Sequence, residues 1–154
     1  MDNIKEYTYT LKLPYLRENF EEEIMEAKQQ AKSHEDFLKD ILQKEYETRI
    51  NNGIKRRIRE ARFPQRKYLE DFKMSRFSKE NRQLLERLTT LDFIKNKENV
   101  ILISNPGMGK THFATAVGIK ACLENMSVLF VPVPNLIIEL KEANPAFEAE
   151  RIIE

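Results

Sequence analysis

Eight consecutive residues, Asn105, Pro106, Gly107, Met108, Gly109, Lys110, Thr111 and His112, bring together the residue types that hold phosphate. Gly107 and Gly109 let a backbone curl tightly, so that successive N–H groups point into one hollow. Lys110 brings a full positive charge for the outer phosphate oxygens, and the Thr111 hydroxyl can ligate Mg²⁺. The spacing is that of a phosphate-binding loop, G-x-x-x-x-G-K-[ST], with Ser104 at the first glycine position and the core Gly107-x-Gly109-Lys110-Thr111 intact. A serine fits there provided its φ is negative, so weakened binding is the most it should cause. The competing reading is a surface turn that exposes a lysine.

The neighbouring elements favour the loop. Val100 to Ile103 is an unbroken apolar run, as a strand covered on both faces requires. A helical pattern starts at Lys110 and runs to about residue 125, with Phe113, Ala114, Val117, Ala121 and Cys122 inward and Gly118 allowing close packing. Its N-terminal dipole adds positive potential at the loop. Ser127 to Val131 reads as a second buried strand. Strand, helix and strand over about thirty residues predict a parallel, right-handed βαβ unit. Pro132 and Pro134 stop that strand; a helix over about 135–143 and a last helical stretch to Glu154 follow. Hydrolysis would need a strand-borne carboxylate for the metal and a residue to orient water. Glu139 follows the second strand too closely for another crossover and reads as a solvated helix residue, while Ile152, Ile153 and Glu154 stand at the chain end. The sequence therefore looks like the first part of a nucleotide-binding core.

A second cluster is cationic. Lys55, Arg56, Arg57, Arg59, Arg62, Arg66 and Lys67 face a lone acid, Glu60, with Phe63 and Tyr68 among them. One reading is a solvated helix face. The other is a nucleic-acid patch, with charges for phosphates and aromatics for bases. The elements that carry it begin with residues 1–13, read as an extended arm. Pro14 opens a helix, with Leu16, Phe20, Ile24, Ala27 and Ala31 on its apolar side and Glu21, Glu22, Glu23 and Glu26 on other faces. Ser33 with Asp36 caps a long helix over about 34–62, along which Phe37, Leu38, Ile41, Leu42, Tyr46, Ile50, Ile54 and Ile58 form a winding apolar ridge. Gly53 marks a possible bend. The two helices most simply form an antiparallel hairpin. Pro64 ends the second one. A connecting loop over 64–78 follows, with one helical turn at Tyr68 to Phe72, and Ser78 caps a short helix carrying Leu84, Leu85 and Leu88. The boundary falls near residue 66.

Composition bounds the rest. The 154 residues are 33% charged and 9% aromatic, a helix-rich profile with room for one domain plus an appendage. A formal charge of +1 gives no global attraction to nucleic acid, so any attraction is local. The one cysteine, Cys122, excludes an internal disulfide and reads as a small buried residue. No signal peptide or membrane span is evident, which suits the cytoplasm. The expected class is α/β: a helical N-terminal module over 1–66, then the βαβ start of a P-loop core over 67–154.

Several segments together resemble the IstB-type helper ATP-binding proteins of insertion sequences, AAA+ proteins related to the DnaC helicase loaders. They are Leu11 to Pro14, Glu45 to Arg49 with the basic run to Phe63, Tyr68 to Phe72, Ile94, Glu98 to Leu102, and Asn105 to His112. The likeness covers nearly the whole chain. It implies ATP-dependent assembly on DNA that delivers a transposase to its target or a helicase to its origin. It also implies that Asn105 to His112 cradle the ATP phosphates, with Lys110 on the β and γ phosphates and Thr111 on Mg²⁺. The basic helix end is then a candidate DNA contact. The acidic Mg²⁺ strand, sensors and arginine finger of the family fall beyond Glu154. That leaves ATP hydrolysis undecided and self-assembly conditional on the full core. A non-hydrolysing helical adapter for DNA or protein is the alternative from another class.

Overall fold

The computed structural model describes residues 2–143, so the helical stretch expected up to Glu154 lies outside the described residues. Among the described residues seven α-helices form: α1 Asp2–Thr10, α2 Pro14–Gln29, α3 His34–Glu60, α4 Lys79–Thr89, α5 Asp92–Lys95, α6 Lys110–Leu123 and α7 Val133–Ala143, with a 3-10 turn at Met74–Arg76. Among the described residues there is no β-strand. The chain divides into two compact units, Met1–Arg56 and Arg57–Glu154.

In the first unit, the expected extended arm is instead helix α1. Its β-branched Thr8 is buried, and the Thr8 hydroxyl donates to the Lys5 carbonyl at 2.8 Å, which satisfies the buried hydroxyl. Lys12, with φ 55°, closes the end: the Leu13 N–H reaches the Thr8 carbonyl at 2.8 Å and the Lys12 N–H the Tyr9 carbonyl at 3.1 Å. Pro14 opens α2 as expected, and Phe20 is buried on its inner side. Ser33 caps α3, accepting from the Asp36 N–H at 3.1 Å. The α2 and α3 contacts run in opposite chain order, Leu16 with Glu45, Glu23 with Lys44 and Lys32 with Asp40, as in an antiparallel pair.

Two expectations about these faces are corrected. Glu23 is 6% exposed, not on an outer face, because Lys44 Nζ donates to both its oxygens at 2.6 and 2.9 Å and the Tyr15 hydroxyl donates to it as well. Those donors hold its carboxyl below the ordinary 4.5, Lys44 first and Tyr15 second. The α3 ridge also splits: Ile41 is buried, while Leu38, Leu42, Tyr46 and Ile50 are exposed. Leu38, Leu42 and Tyr46 each lie one residue, about 100° of rotation, past Phe37, Ile41 and Glu45, so they miss the inner face, where Glu45 caps α2 by accepting from the Leu16 N–H.

The second unit begins ten residues before the boundary expected at 66, since the last turn of α3 packs within it. Arg57 Nε donates to the Cys122 carbonyl at 3.0 Å, and the carbonyl of fully buried Ala61 accepts from the Phe130 N–H at 2.8 Å. Leu91, Phe113, Val117 and Ala121 form the core, with Leu85, Leu88, Phe72, Leu102 and Val128 against it. Helix α6 presents Phe113, Val117, Ala121 and Cys122 inward as expected, while Ala114 faces outward. Gly118 permits the close packing: a Cβ there would lie 2.8 Å from the Phe63 ring. Ser78 caps α4 through the Asn81 N–H, and Leu84 is exposed rather than packed. The single turn at Tyr68 to Phe72 forms, through i to i+3 bonds at Asp71 and Phe72.

The expected βαβ start is corrected. Residues 100–103 and 127–131 pair with no strand among the described residues. A two-stranded parallel ladder is marginal alone, and here the Phe130 N–H is committed to Ala61 rather than to a neighbouring strand.

Candidate nucleotide-binding loop

Ser104 to Lys110 form the loop, and α6 begins at Lys110. Gly107 and Gly109 have φ of 79° and 91°, a region costly for any side chain. At Gly107, which is exposed, a Cβ would meet nothing within 4 Å, so its need for glycine is conformational. Gly109 is the N-cap of α6, its carbonyl accepting from the Phe113 N–H at 2.9 Å. The Met108 N–H turns back to the Asn105 carbonyl at 3.4 Å. Ser104 is not among the residues with positive φ, which explains how a serine occupies the first glycine position.

The charged end of the loop is turned inward. Lys110 Nζ donates to the Ser104 carbonyl at 2.7 Å, to the Asn105 carbonyl at 3.0 Å and to the Ser104 hydroxyl at 3.3 Å. Thr111 is exposed on the first turn of α6. His112 is half-buried, its Nε2 3.3 Å from the Tyr68 carbonyl and its ring edge-on to Phe72. The loop and α6 thus offer backbone donors, one ammonium and one hydroxyl to a bound anion. The described residues bring no cluster of three acidic, histidine or cysteine side chains to add metal ligands. A groove of about 710 Å³ runs from α4 along residues 100–104 to Gly109 and Lys110.

Two residues take part here in ways the sequence did not show. Phe72 lies 3.1 Å from where a Gly109 Cβ would sit, and it contacts His112 and Phe113. It therefore packs against the loop at Gly109, where the positive φ favours glycine and a Cβ would press on the Phe72 ring. The turn at Tyr68 to Phe72 was the available signal. Ser104 is the other, through its hold on Lys110.

Most of the basic run is exposed, and Arg57 is tied inward. Lys55, Arg56 and Arg59 are exposed on the last turns of α3, where Lys55 and Arg59 are one turn apart. Arg57 points elsewhere, to the Cys122 carbonyl. Arg62 is exposed and 3.7 Å from Glu139, which sits half-exposed on α7 as a helix residue. Arg66 is exposed and Lys67 half-buried in the following loop. Cys122 is fully buried, and burial pushes its thiol upward, so it is a packing residue. No helix among the described residues is long and apolar enough to cross a membrane.

With this geometry stand the relatives. The IstB-like ATP binding protein family matches residues 7–154. An insertion sequence IS21 ATP-binding protein of Pseudomonas aeruginosa is 36% identical over 141 residues, covering 92% of this chain and 53% of the relative. An IS5376 ATP-binding protein of Geobacillus stearothermophilus is 27% identical over 150 residues, 97% of this chain and 60% of the relative. An IS21-like ATP-binding protein of Bacteroides fragilis is 29% identical over 135 residues, 83% of this chain and 68% of the relative. The chain thus spans 53% and 60% of the first two relatives' length. From the motif, the loop that carries it and this match over nearly all its residues, the chain belongs to the family of IstB-like ATP-binding proteins.

Proposed function

We propose that this chain binds ATP through Asn105 to His112 and serves as a helper in DNA transposition. The observation that carries the reading is the loop itself: two glycines at positive φ, open space beside Gly107 and the N-terminus of α6 behind Lys110. Backbone N–H groups and the α6 dipole would hold the phosphates, and Lys110 would reach the β and γ oxygens. Thr111 would give one ligand to Mg²⁺, which when bound supplies charge neutralisation between the phosphates. The test is ATP titration of the full chain followed by calorimetry. Lys110→Ala should weaken binding at least tenfold, about the loss of one charge-assisted contact. Equal binding by the variant would overturn the reading. A second reading, a helical adapter that does not take nucleotide, is favoured by Lys110 being turned onto the loop's own carbonyls. It predicts no calorimetric signal with ATP and Mg²⁺.

The same proposal gives the basic run to DNA and leaves recruitment of a transposase to the helical unit. Lys55, Arg56 and Arg59 are the exposed cations of the α3 end, and Arg62, Arg66 and Lys67 follow in the loop. Arg57, bonded to Cys122, would contribute least. A double variant, Arg56→Ala with Arg59→Ala, should lower the slope of log affinity for duplex DNA against log salt by about 1–2. An unchanged slope removes these residues from the interface. The insertion-sequence origin of the matched relatives favours a transposase over a replicative helicase as the partner.

A further inference from the structure

We propose that Ser104 sets the nucleotide affinity of the loop by holding Lys110 back in the nucleotide-free protein. The proposal rests on the reading of residues 105–112 as the ATP site. An ammonium has three N–H donors. Those of Lys110 face three acceptors inside the loop: the Ser104 carbonyl at 2.7 Å, the Asn105 carbonyl at 3.0 Å and the Ser104 hydroxyl at 3.3 Å. Two of the three come from Ser104. The hydroxyl also lies 3.4 Å from the Asn105 carbonyl, on which its own O–H can rest while its oxygen accepts from Nζ. A glycine at this position supplies the carbonyl and not the third acceptor. Nor does the backbone demand glycine, because Ser104 lacks a positive φ. Phosphate must therefore draw Lys110 away from one more acceptor than in a loop with the usual glycine. The fraction of loops with a free lysine falls, and apparent affinity falls with it. Ser104 is a positioning residue that acts through Lys110.

The test uses the full chain and two readouts. The first is ATP titration. The second, without nucleotide, is the rate at which an amine-acylating ester labels Lys110, read by peptide mass spectrometry with Lys120 on α6 as the internal reference. Ser104→Ala and Ser104→Gly should tighten ATP binding about three- to tenfold and speed Lys110 labelling by about the same factor. Ser104→Thr, which keeps a hydroxyl, should return both towards the wild-type values, while Lys120 labelling stays constant throughout. A merely structural role for Ser104 would leave the labelling ratio unmoved. The proposal is overturned if Ser104→Ala binds ATP equally or more weakly while Lys110→Ala abolishes binding, since the hydroxyl is then idle or a phosphate ligand. If Lys110→Ala binds ATP as well as the wild type, the phosphate reading itself has failed, and the proposal fails with it.

Discussion

The two sides of the phosphate loop are equally apolar and meet opposite fates. After the loop, α6 buries Phe113, Ala116, Val117, Ile119, Ala121 and Cys122. Before it, the run Val100 to Ile103 leaves Ile101 82% and Ile103 90% exposed. Hydrophobicity does not separate them; backbone hydrogen bonding does. A helix closes its own N–H and C=O groups and is free to sink into the core. A strand must borrow partners from another strand, and among the described residues none is offered to residues 100–103. Only Leu102 of this run packs against the core cluster. Among the described residues the loop is supported by α6 and by the packing of Phe72.

The largest effect should come from setting the two sides against each other. Phe113→Ala empties a site only 2% exposed at the centre of the cluster, and should cost about 3–5 kcal/mol. Ile103→Ala removes a side chain already in water and should change stability by less than about 0.5 kcal/mol. Urea midpoints of the two variants measure the contrast. If Ile103→Ala costs as much as Phe113→Ala, the run is covered in solution, and α6 and Phe72 are not the loop's only support.

The same lesson holds inside the first unit, where a carboxylate is buried while leucines are exposed. Glu23 stays inside because Lys44 and Tyr15 satisfy it, whereas Leu38 and Leu42 have turned off the inner face of α3. Its carboxyl is depressed below 4.5 by these donors. The stabilisation is therefore complete above that ordinary value and is lost as pH falls through the lower native one. Removing the charge with Glu23→Gln should cost about 1–3 kcal/mol at neutral pH, the range for hydrogen bonds to charged groups. It should also flatten the decline in stability below pH 4.5. An acid limb as steep in the variant as in the wild type would assign acid loss to other carboxylates.

Much of this was legible in the sequence, for a reason that follows from the contrast. Local chemistry could be read: Pro14 at the start of α2, Ser33 and Ser78 as caps, the single turn before Phe72, the loop glycines, and Gly118 as a place of close packing, though not that Phe63 fills it. Features that depend on a distant partner could not. The strands expected at 100–103 and 127–131 needed each other or a third strand. The burial of Glu23 needed Lys44, twenty-one residues away. The divergence of Arg57 from its basic neighbours needed the Cys122 carbonyl. The helical fate of residues 2–10 was hidden differently, because the residue that ends α1 is a lysine in a left-handed conformation where glycine would have given the signal.

Those helix ends supply the smallest and most local test of self-sufficiency. The chain has only four glycines, so left-handed positions among the described residues fall also to Lys12, Ala31, Arg62, Leu91, Lys97 and Asn125. At Ala31, with φ 50°, the Lys32 N–H reaches the Ala27 carbonyl at 3.1 Å and the Ala31 N–H the Lys28 carbonyl at 3.4 Å, closing α2. An alanine held there pays about 1 kcal/mol of steric strain that glycine avoids, offset in part by the greater chain entropy glycine loses. Ala31→Gly should therefore raise stability by about 0.5 kcal/mol. The same replacement four residues earlier, Ala27→Gly, lies inside α2 and should lower it by about 1 kcal/mol. Opposite signs from one substitution isolate backbone conformation from side-chain loss, because both variants delete the same methyl group. Equal destabilisation at the two sites would mean that α2 does not close at Ala31, and that a helix in this chain needs outside partners as much as the run before the loop does.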